Sequence, residues 1–324
     1  MGLSPATVSL VMNQASVADS IPRATQERIF AAARELNYRP SFAARWARTA
    51  RSFTIGVLVP EVSEGYASLV LSGIERHLLR EGYFYLVASH RHHDDLIDEY
   101  PRLLQARAVD GMIAVDTPWK REMPIPVVTV SGHDRANGVT NILLDHDRAA
   151  ELALGHLQKL GHRRIAFIKG QEFSSDTASR WESITKAAAG LGLEVSRKLT
   201  VQLEGDLASP ELGYRTTKRL LERKVGFSAL FAFNDVSAIG AIEALRSQNL
   251  EVPQDVSVVG FDDIESAAFQ RPQLTTVRQP LKKMGMIAAE TLLRRIARPD
   301  DDTYSREIVI EPELVVRKST APAK

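Results

Sequence analysis

The chain has 324 residues, 44% of them apolar and 25% charged, and no cysteine. That length suggests two or three domains, the composition is that of a soluble globular protein, and disulfide or thiolate chemistry is excluded. No apolar run approaches the ~18 residues of a membrane span, and Met1 is followed by no basic stretch with an apolar core, so a cytoplasmic protein is expected.

Formal net charge is only +1, so any nucleic-acid surface must be local. Such a patch exists at the start. Up to Arg51 the charged residues are Arg23, Arg28, Arg34, Arg39, Arg45, Arg48 and Arg51 against Asp19, Glu27 and Glu35. All the cations are arginine, which forks onto phosphate better than lysine does.

The first predicted element is a short helix. Ser4 suits an N-cap and Pro5 the first helical position, and Val8, Val11 and Met12 fall on one face. Thr7, Ser9, Leu10 and Asn13 lie off that stripe, and small polar residues on the exposed side of a helix suit a DNA major groove; with Ser4, Pro5 and Ala6 they are the candidate DNA contacts of this helix. A second periodic stretch runs from Thr25 to Leu36. Pro40 then breaks the chain, and Ser41 can cap a short alanine-rich helix from Phe42 to Thr49, too short to be stable alone.

From Phe53 onward apolar strands alternate with amphipathic helices. Strands are predicted at Phe53–Pro60, Tyr83–Ala88, Gly111–Val115, Pro126–Val130 and Val139–Leu143. A second series follows at Arg164–Ile168, Lys198–Val201, Ala229–Phe233 and Ser257–Phe261. Such runs between helices imply parallel sheets covered on both faces. Two series imply two doubly wound α/β subdomains, with a ligand crevice at the carboxyl ends of the strands. The tail Lys318–Lys324 is expected to be disordered.

Several phrases occur in a specific order: Tyr38-Arg39-Pro40, Thr54-Ile55-Gly56-Val57-Leu58-Val59-Pro60, Gly73-Ile74-Glu75, Val109-Asp110-Gly111-Met112-Ile113, Leu160-Gly161-His162-Arg163-Arg164-Ile165-Ala166, Phe233-Asn234-Asp235, the run Val252 to Asp263, and Leu274 to Pro280. Together they resemble the lactose-repressor family of transcription factors over nearly the whole chain. The resemblance implies a helix-turn-helix headpiece that reads an operator and a core, like a periplasmic sugar-binding protein, that senses a small molecule. It also implies a homodimer. With few residues after Leu314-Val315-Val316, no tetramer-forming heptad segment is expected. Relative to the family the chain begins at the recognition helix, so the headpiece is expected to lack its first helix, through a late gene start or a truncation.

The expected division is a partial headpiece at 1–40, a hinge helix and linker at 41–52, and a core at 53–324. Within the core, one subdomain spans about 53–144 and 280–303, the other about 145–279 and 304–318. The resemblance places Arg45, Trp46 and Arg48 of the hinge in the minor groove, with Trp46 where the family pushes an apolar wedge, commonly Leu, between base pairs. The alternative is that Trp46 anchors the linker on the core. In the cleft the resemblance points to Tyr66, Ser174, Asp176, Arg180, Leu207, Asn234 and Asp262. Arg180 matches an arginine that forks onto ligand hydroxyls or carboxylate, and is predicted at a helix start after a loop at 174–179. Asn234 and Asp262 end strands and can pair with sugar hydroxyls. Leu207 stands where an aromatic platform is common, and an apolar leucine cannot stack on a ring as Trp or Phe does.

His90, His92 and His93 beside Asp94 and Asp95 fit no standard metal spacing, and a solvated loop is expected there. There is no Gly-x-Ser-x-Gly elbow, no Gly-x-Gly-x-x-Gly loop and no Walker pattern. Neither metal, cofactor nor enzymatic activity is expected. Two functions remain: an effector-controlled DNA-binding regulator, or a sugar-binding module alone. The basic helical segment ahead of Phe53 favours the regulator.

Overall fold

The computed structural model describes residues 2–12, 16–36, 38, 51–62, 65–133, 136–205, 209–299, 301 and 303–324. The chain divides into two compact units, Met1–Ser52 and Phe53–Lys324. No helix among the described residues is long and apolar enough to cross a membrane.

The first unit contains α1 (Pro5–Met12), a 3-10 turn at Ser16–Ser20 and α2 (Arg23–Glu35). Ser4 caps α1 as its sequence suggests: its hydroxyl accepts the Thr7 backbone N–H at 3.1 Å. The Gln26 side chain donates to the carbonyls of Ala18 and Ile21, tying the turn to α2. The core of this unit is small. Val11, Ala18 and Ile29 are its buried apolar residues, flanked by Leu3, Val8, Met12, Ile21 and Phe30. Ser4, Pro5 and Ala6 are exposed, whereas Thr7, Ser9 and Leu10 are half-buried. Asn13 and the hinge residues Arg45, Trp46 and Arg48 lie outside the described residues.

The second unit holds two six-stranded sheets. The first has the order β2-β1-β3-β4-β5-β11, all parallel: β1 (Thr54–Val59), β2 (Phe84–Ser89), β3 (Gly111–Val115), β4 (Val127–Val130), β5 (Val139–Leu144) and β11 (Glu307–Ile310). The second has the order β7-β6-β8-β9-β10-β12: β6 (Ile165–Lys169), β7 (Thr200–Gln202), β8 (Ala229–Ala232), β9 (Ser257–Asp262), β10 (Thr275–Arg278) and β12 (Glu313–Val315). Its strands are parallel except for β12, which runs antiparallel to β10. Strands β1, β3 and β4 are buried along their whole length, as expected of a sheet covered on both faces.

Helices α3 (Tyr66–Arg80), α4 (Asp94–Ala106) and α10 (Leu281–Ala297) belong to the first lobe. Helices α5 (His146–Lys159), α6 (Ser175–Gly190), α7 (Pro210–Glu222), α8 (Asp235–Arg246) and the short α9 (Glu265–Phe269) belong to the second. Helices α3 and α10 pack backbone to backbone because glycine faces each contact. A Cβ at Gly73 would lie 2.0 Å from the Lys282 carbonyl oxygen, and one at Gly285 2.0 Å from that of Val70.

Two expectations need correction. Strand β11 pairs in parallel with β5, Ile308 opposite Ile142, and buries Ile310 in the first core. The last crossing between lobes therefore falls at 311–312, and residues up to 310 belong to the first lobe rather than the second. The tail is also ordered. Ser319 is fully buried and accepts the Thr275 N–H at 2.8 Å, the Ala321 carbonyl lies 3.0 Å from His162 Nε2, and the Ala323 N–H donates to the Leu160 carbonyl. Small side chains let the tail lie flat and exchange backbone hydrogen bonds with the second lobe.

Candidate effector cleft

In each sheet the strand order reverses beside the first strand of the lobe, between β1 and β3 and between β6 and β8. A doubly wound sheet opens a crevice at such a point. The carboxyl ends of both sets of strands face one cavity, lined by Pro60, Glu61, Tyr66, His92 and Asp116 from the first lobe and by Gln171, Phe173, Ser174, Asp176, Arg180, Phe233, Asn234, Val236 and Asp262 from the second.

Asp176 is the hub. It sits in the first turn of α6, where a carboxylate favours the helix dipole, and is 4% exposed. His133 donates to its Oδ1 at 2.6 Å and His146 at 3.3 Å, while Arg180 donates to Oδ2 at 3.0 Å. Burial pushes this carboxyl up, but His146, His133 and Arg180 outweigh it and hold its pKa well below the usual range. Burial pulls His133 down, but the hydrogen bond to Asp176 together with the charges of Asp176 and Asp116 outweighs it, so its pKa is raised. His133, His146 and Asp176 bring metal-ligating atoms within 4.8 Å of one another. The Arg180 guanidinium on the same carboxylate already supplies positive charge there.

Arg180 itself is held rigidly. Its Nη1 donates to the Phe233 carbonyl at 2.6 Å, and its Cζ lies 3.8 Å from the Phe261 ring centre and 4.4 Å from that of Phe233. Among the described residues its Nε has no partner. Helix α6 begins at Ser175, earlier than expected, so Arg180 projects from its second turn and not from a helix start.

Asp116 and Asp262 end strands of opposite lobes. Asp116 accepts the Ser175 N–H at 3.0 Å, the Ser175 hydroxyl at 2.5 Å and the Ser174 hydroxyl at 3.3 Å, all across the cleft. Ser174 is the N-terminal cap residue of α6, yet its hydroxyl makes no cap bond and reaches Asp116. Asp262 accepts from the Gln279 amide at 2.6 Å. Burial pushes each aspartate up to about 7. Asp116, Ser131, His133 and Asp262 also adopt positive φ (42°, 55°, 51° and 111°). Non-glycine residues rarely accept that conformation, and such strain concentrates at ligand sites.

The remaining expected residues are placed as follows. Tyr66 lines the cavity and donates to the Ser131 hydroxyl at 2.7 Å. Burial, then the charges of Asp176 and Asp116, raise its pKa well above the usual value. Asn234 caps α8, its Oδ1 accepting the Ser237 N–H at 2.8 Å. Leu207 lies outside the described residues. Asp116, His133, His146 and Ser175 were missed by sequence reasoning. Asp116 could have been found, since it directly follows a buried strand. The histidine run is not a solvated loop: His90 is fully buried against Thr117, with its pKa pushed to about 4 by burial, and His92 stacks on Phe173 at 3.8 Å. The cross-cleft contacts leave a cavity of about 80 Å³, smaller than the roughly 150 Å³ that holds benzene. A ring-sized ligand displaces some of them.

The aspartates set a pH dependence. Their folded pKa of about 7 exceeds the unaltered 3.8, so the folded state holds protons that the unfolded state releases. Stability from them is full below about pH 3.8 and declines as pH rises through about 7. The raised His133 adds to the decline. The lowered His90, His146, His156 and His162 oppose it only up to about their ordinary 6.5. Between about pH 6.5 and 8 the ligand-free chain should therefore lose on the order of 1 kcal/mol per aspartate. Buried Asp235, whose pKa burial also raises well above its ordinary value, adds to the decline; denaturant titrations should show the loss, and Asp116→Asn with Asp262→Asn should reduce it. Equal stability at both pH values would contradict the assignment.

Comparison with known proteins agrees with this architecture. Residues 1–41 match the family described as bacterial regulatory proteins, lacI family, and residues 154–320 a periplasmic binding protein-like domain. The HTH-type transcriptional repressor PurR of Haemophilus influenzae is 33% identical over 98% of this chain and 95% of its own length. The lac repressor dimer bound to operator and the anti-inducer ONPF superposes with a TM-score of 0.82 at 26% identity, over 99% of this chain and 96% of that one. A LacI family transcriptional regulator from Enterococcus faecium with bound ribose superposes at 0.72 and 27% identity, over 84% of this chain and 100% of that one. The chain therefore belongs to the lacI (LacI/GalR) family of bacterial transcriptional regulators.

Proposed function

We propose that this chain is a cytoplasmic, homodimeric repressor, not an enzyme, whose affinity for an operator is set by a sugar or sugar derivative bound between the two lobes of its core. The observation that carries the effector reading is the convergence of Arg180, Asn234, Asp262, Asp116 and Tyr66 on one cavity at the strand ends of both sheets. Carboxylates, an amide and a guanidinium offer the paired acceptors and donors that vicinal hydroxyls need. Ser174 and Asp176 complete the set, with Leu207 as a further candidate. The bound ribose of the Enterococcus faecium neighbour is in keeping with a ligand of this class.

DNA contact is assigned to residues 1–40, through Ser4, Pro5, Ala6, Thr7, Ser9, Leu10 and Asn13, and to the hinge at 41–52, through Arg45, Trp46 and Arg48. The arginines there supply phosphate contacts, and the exposed side of α1 supplies base contacts. A dimer presents two copies of α1 to paired half-sites. The operator reported for the lac repressor neighbour supports this assignment. Selection of binding sites from random duplex DNA by the full chain, at physiological salt, should yield one two-fold symmetric sequence. Recovery of unrelated sequences bound with equal affinity would refute the proposal.

A further inference from the structure

We infer that the effector carries a protonated amine beside its hydroxyls, as an amino sugar or amino polyol does, and that Asp116 and Asp262, which line the cleft from opposite lobes, seat that amine. The inference rests on the proposed effector cleft and narrows its ligand class.

Four carboxylates line the cavity among the described residues: Glu61, Asp116, Asp176 and Asp262. The cations do not balance them. Arg180 and His133 are both committed to Asp176, at 3.0 and 2.6 Å. Among the described residues Asp116 accepts hydrogen bonds from Ser174 and Ser175, and Asp262 from Gln279, so the hydrogen-bond partners of both are neutral. Glu61 Oε2 is buried and has no partner among the described residues. His92, the remaining basic residue of the lining, is stacked on Phe173.

A buried carboxylate without a cation is costly, and the cost falls when a cation arrives. The groups facing Asp116 are Asp176, His133, Tyr66, Ser174 and Ser175. Those facing Asp262 are Arg180, Asp176, Asp235, Tyr66 and Gln279. Burial is the main force against ionisation of both, and the like charge of Asp176 adds to it; at Asp262 the Arg180 charge offsets part of that cost without removing it. A ligand ammonium reverses that balance, drives both aspartates to the ionised form and releases protons. A phosphate or carboxylate on the ligand would meet the same carboxylates and be repelled. The Nε–H of Arg180, which has no partner among the described residues, then takes a hydroxyl oxygen and not an anion.

The test is calorimetry on the full chain near neutral pH, in EDTA, with 2-amino-2-deoxyhexoses and 1-amino-1-deoxyalditols. These are compared with their parent sugars and polyols, their N-acetyl derivatives, hexose 6-phosphates and hexuronates. An amine-bearing member should bind at least about tenfold tighter than its parent, a difference of about 1.4 kcal/mol. N-acetylation should remove that gain, and buffers of different ionisation enthalpy should report proton release. Asp116→Asn and Asp262→Asn should each bring the amine-to-parent ratio toward one. A neutral sugar bound as tightly as its amine, or a phosphorylated or acidic sugar bound more tightly, would overturn the inference and leave the effector cleft standing. Zn²⁺ in the absence of EDTA stabilising the chain while no amine binds would also overturn it. Binding by no member of any class would remove the sugar reading itself.

Discussion

Ile29→Ala should abolish operator binding and leave the thermal transition of the core where it is. Ile29 is 1% exposed and shares its core with two other buried apolar residues, Val11 and Ala18. Truncating a buried isoleucine costs about 2–5 kcal/mol through lost transfer energy and the cavity left behind. A unit of this size has little stability to spare, so α1 and its exposed face lose their support. Binding should fall to the nonspecific level that phosphate contacts alone sustain, roughly 10⁻⁴–10⁻⁶ M at physiological salt. The core forms a separate compact unit with its own apolar clusters, so its melting should not move. Fluorescence titration of a selected operator, paired with calorimetric scans, reads both halves. Wild-type operator affinity in the variant would show that α1 is held by other contacts.

Arg180→Met should have the second large effect, on effector binding and on the core together. The guanidinium is 4% exposed, neutralises Asp176 and lies against the rings of Phe233 and Phe261. Removing one partner of a buried ion pair costs about 3–5 kcal/mol where the other charge is left alone; His133 and His146 stay on Asp176, so the cost here should fall at or below the low end of that range. Methionine fills much of the space between the rings, so the loss should come from charge rather than from a cavity. Adding Asp176→Asn should return part of the stability, since no buried carboxylate short of its guanidinium remains. Effector affinity should fall by about 2 kcal/mol or more, roughly thirtyfold, in both variants. A double variant no more stable than Arg180→Met, or unchanged effector binding, would place Arg180 outside the site.

Much of this architecture was legible in the sequence. Val, Ile and Ala runs such as Thr54–Val59 and Gly111–Val115 could only be strands buried on both faces, and the amphipathic helices between them required parallel sheets. The family resemblance pointed to Asn234 and Asp262, and their place at the ends of such strands, where the cleft opens, agreed with it. What escaped was whatever depends on the two lobes meeting. His133, in a loop of the first lobe, has no meaning until Asp176 of the second lies 2.6 Å away. Asp116 gains its role from Ser174 and Ser175 across the cleft. The start of α6 was misplaced because Ser174-Ser175-Asp176 reads equally as a loop or as a cap and first turn. The side chain of Ser174 is drawn to Asp116 instead of to the helix it starts. Strand β11 was assigned to the wrong lobe because β11 and β12 are separated by only Glu311 and Pro312, and local pattern does not reveal a crossing so short.

The central claim is that a small molecule in the cleft sets affinity for DNA. The direct measurement is a titration of the selected operator with the full chain, with and without a saturating concentration of the ligand that stabilises the core. The account predicts a change in operator Kd of about 5- to 150-fold, the range of ordinary allosteric coupling, and no change in Arg180→Met. The same operator Kd with and without saturating ligand would contradict it.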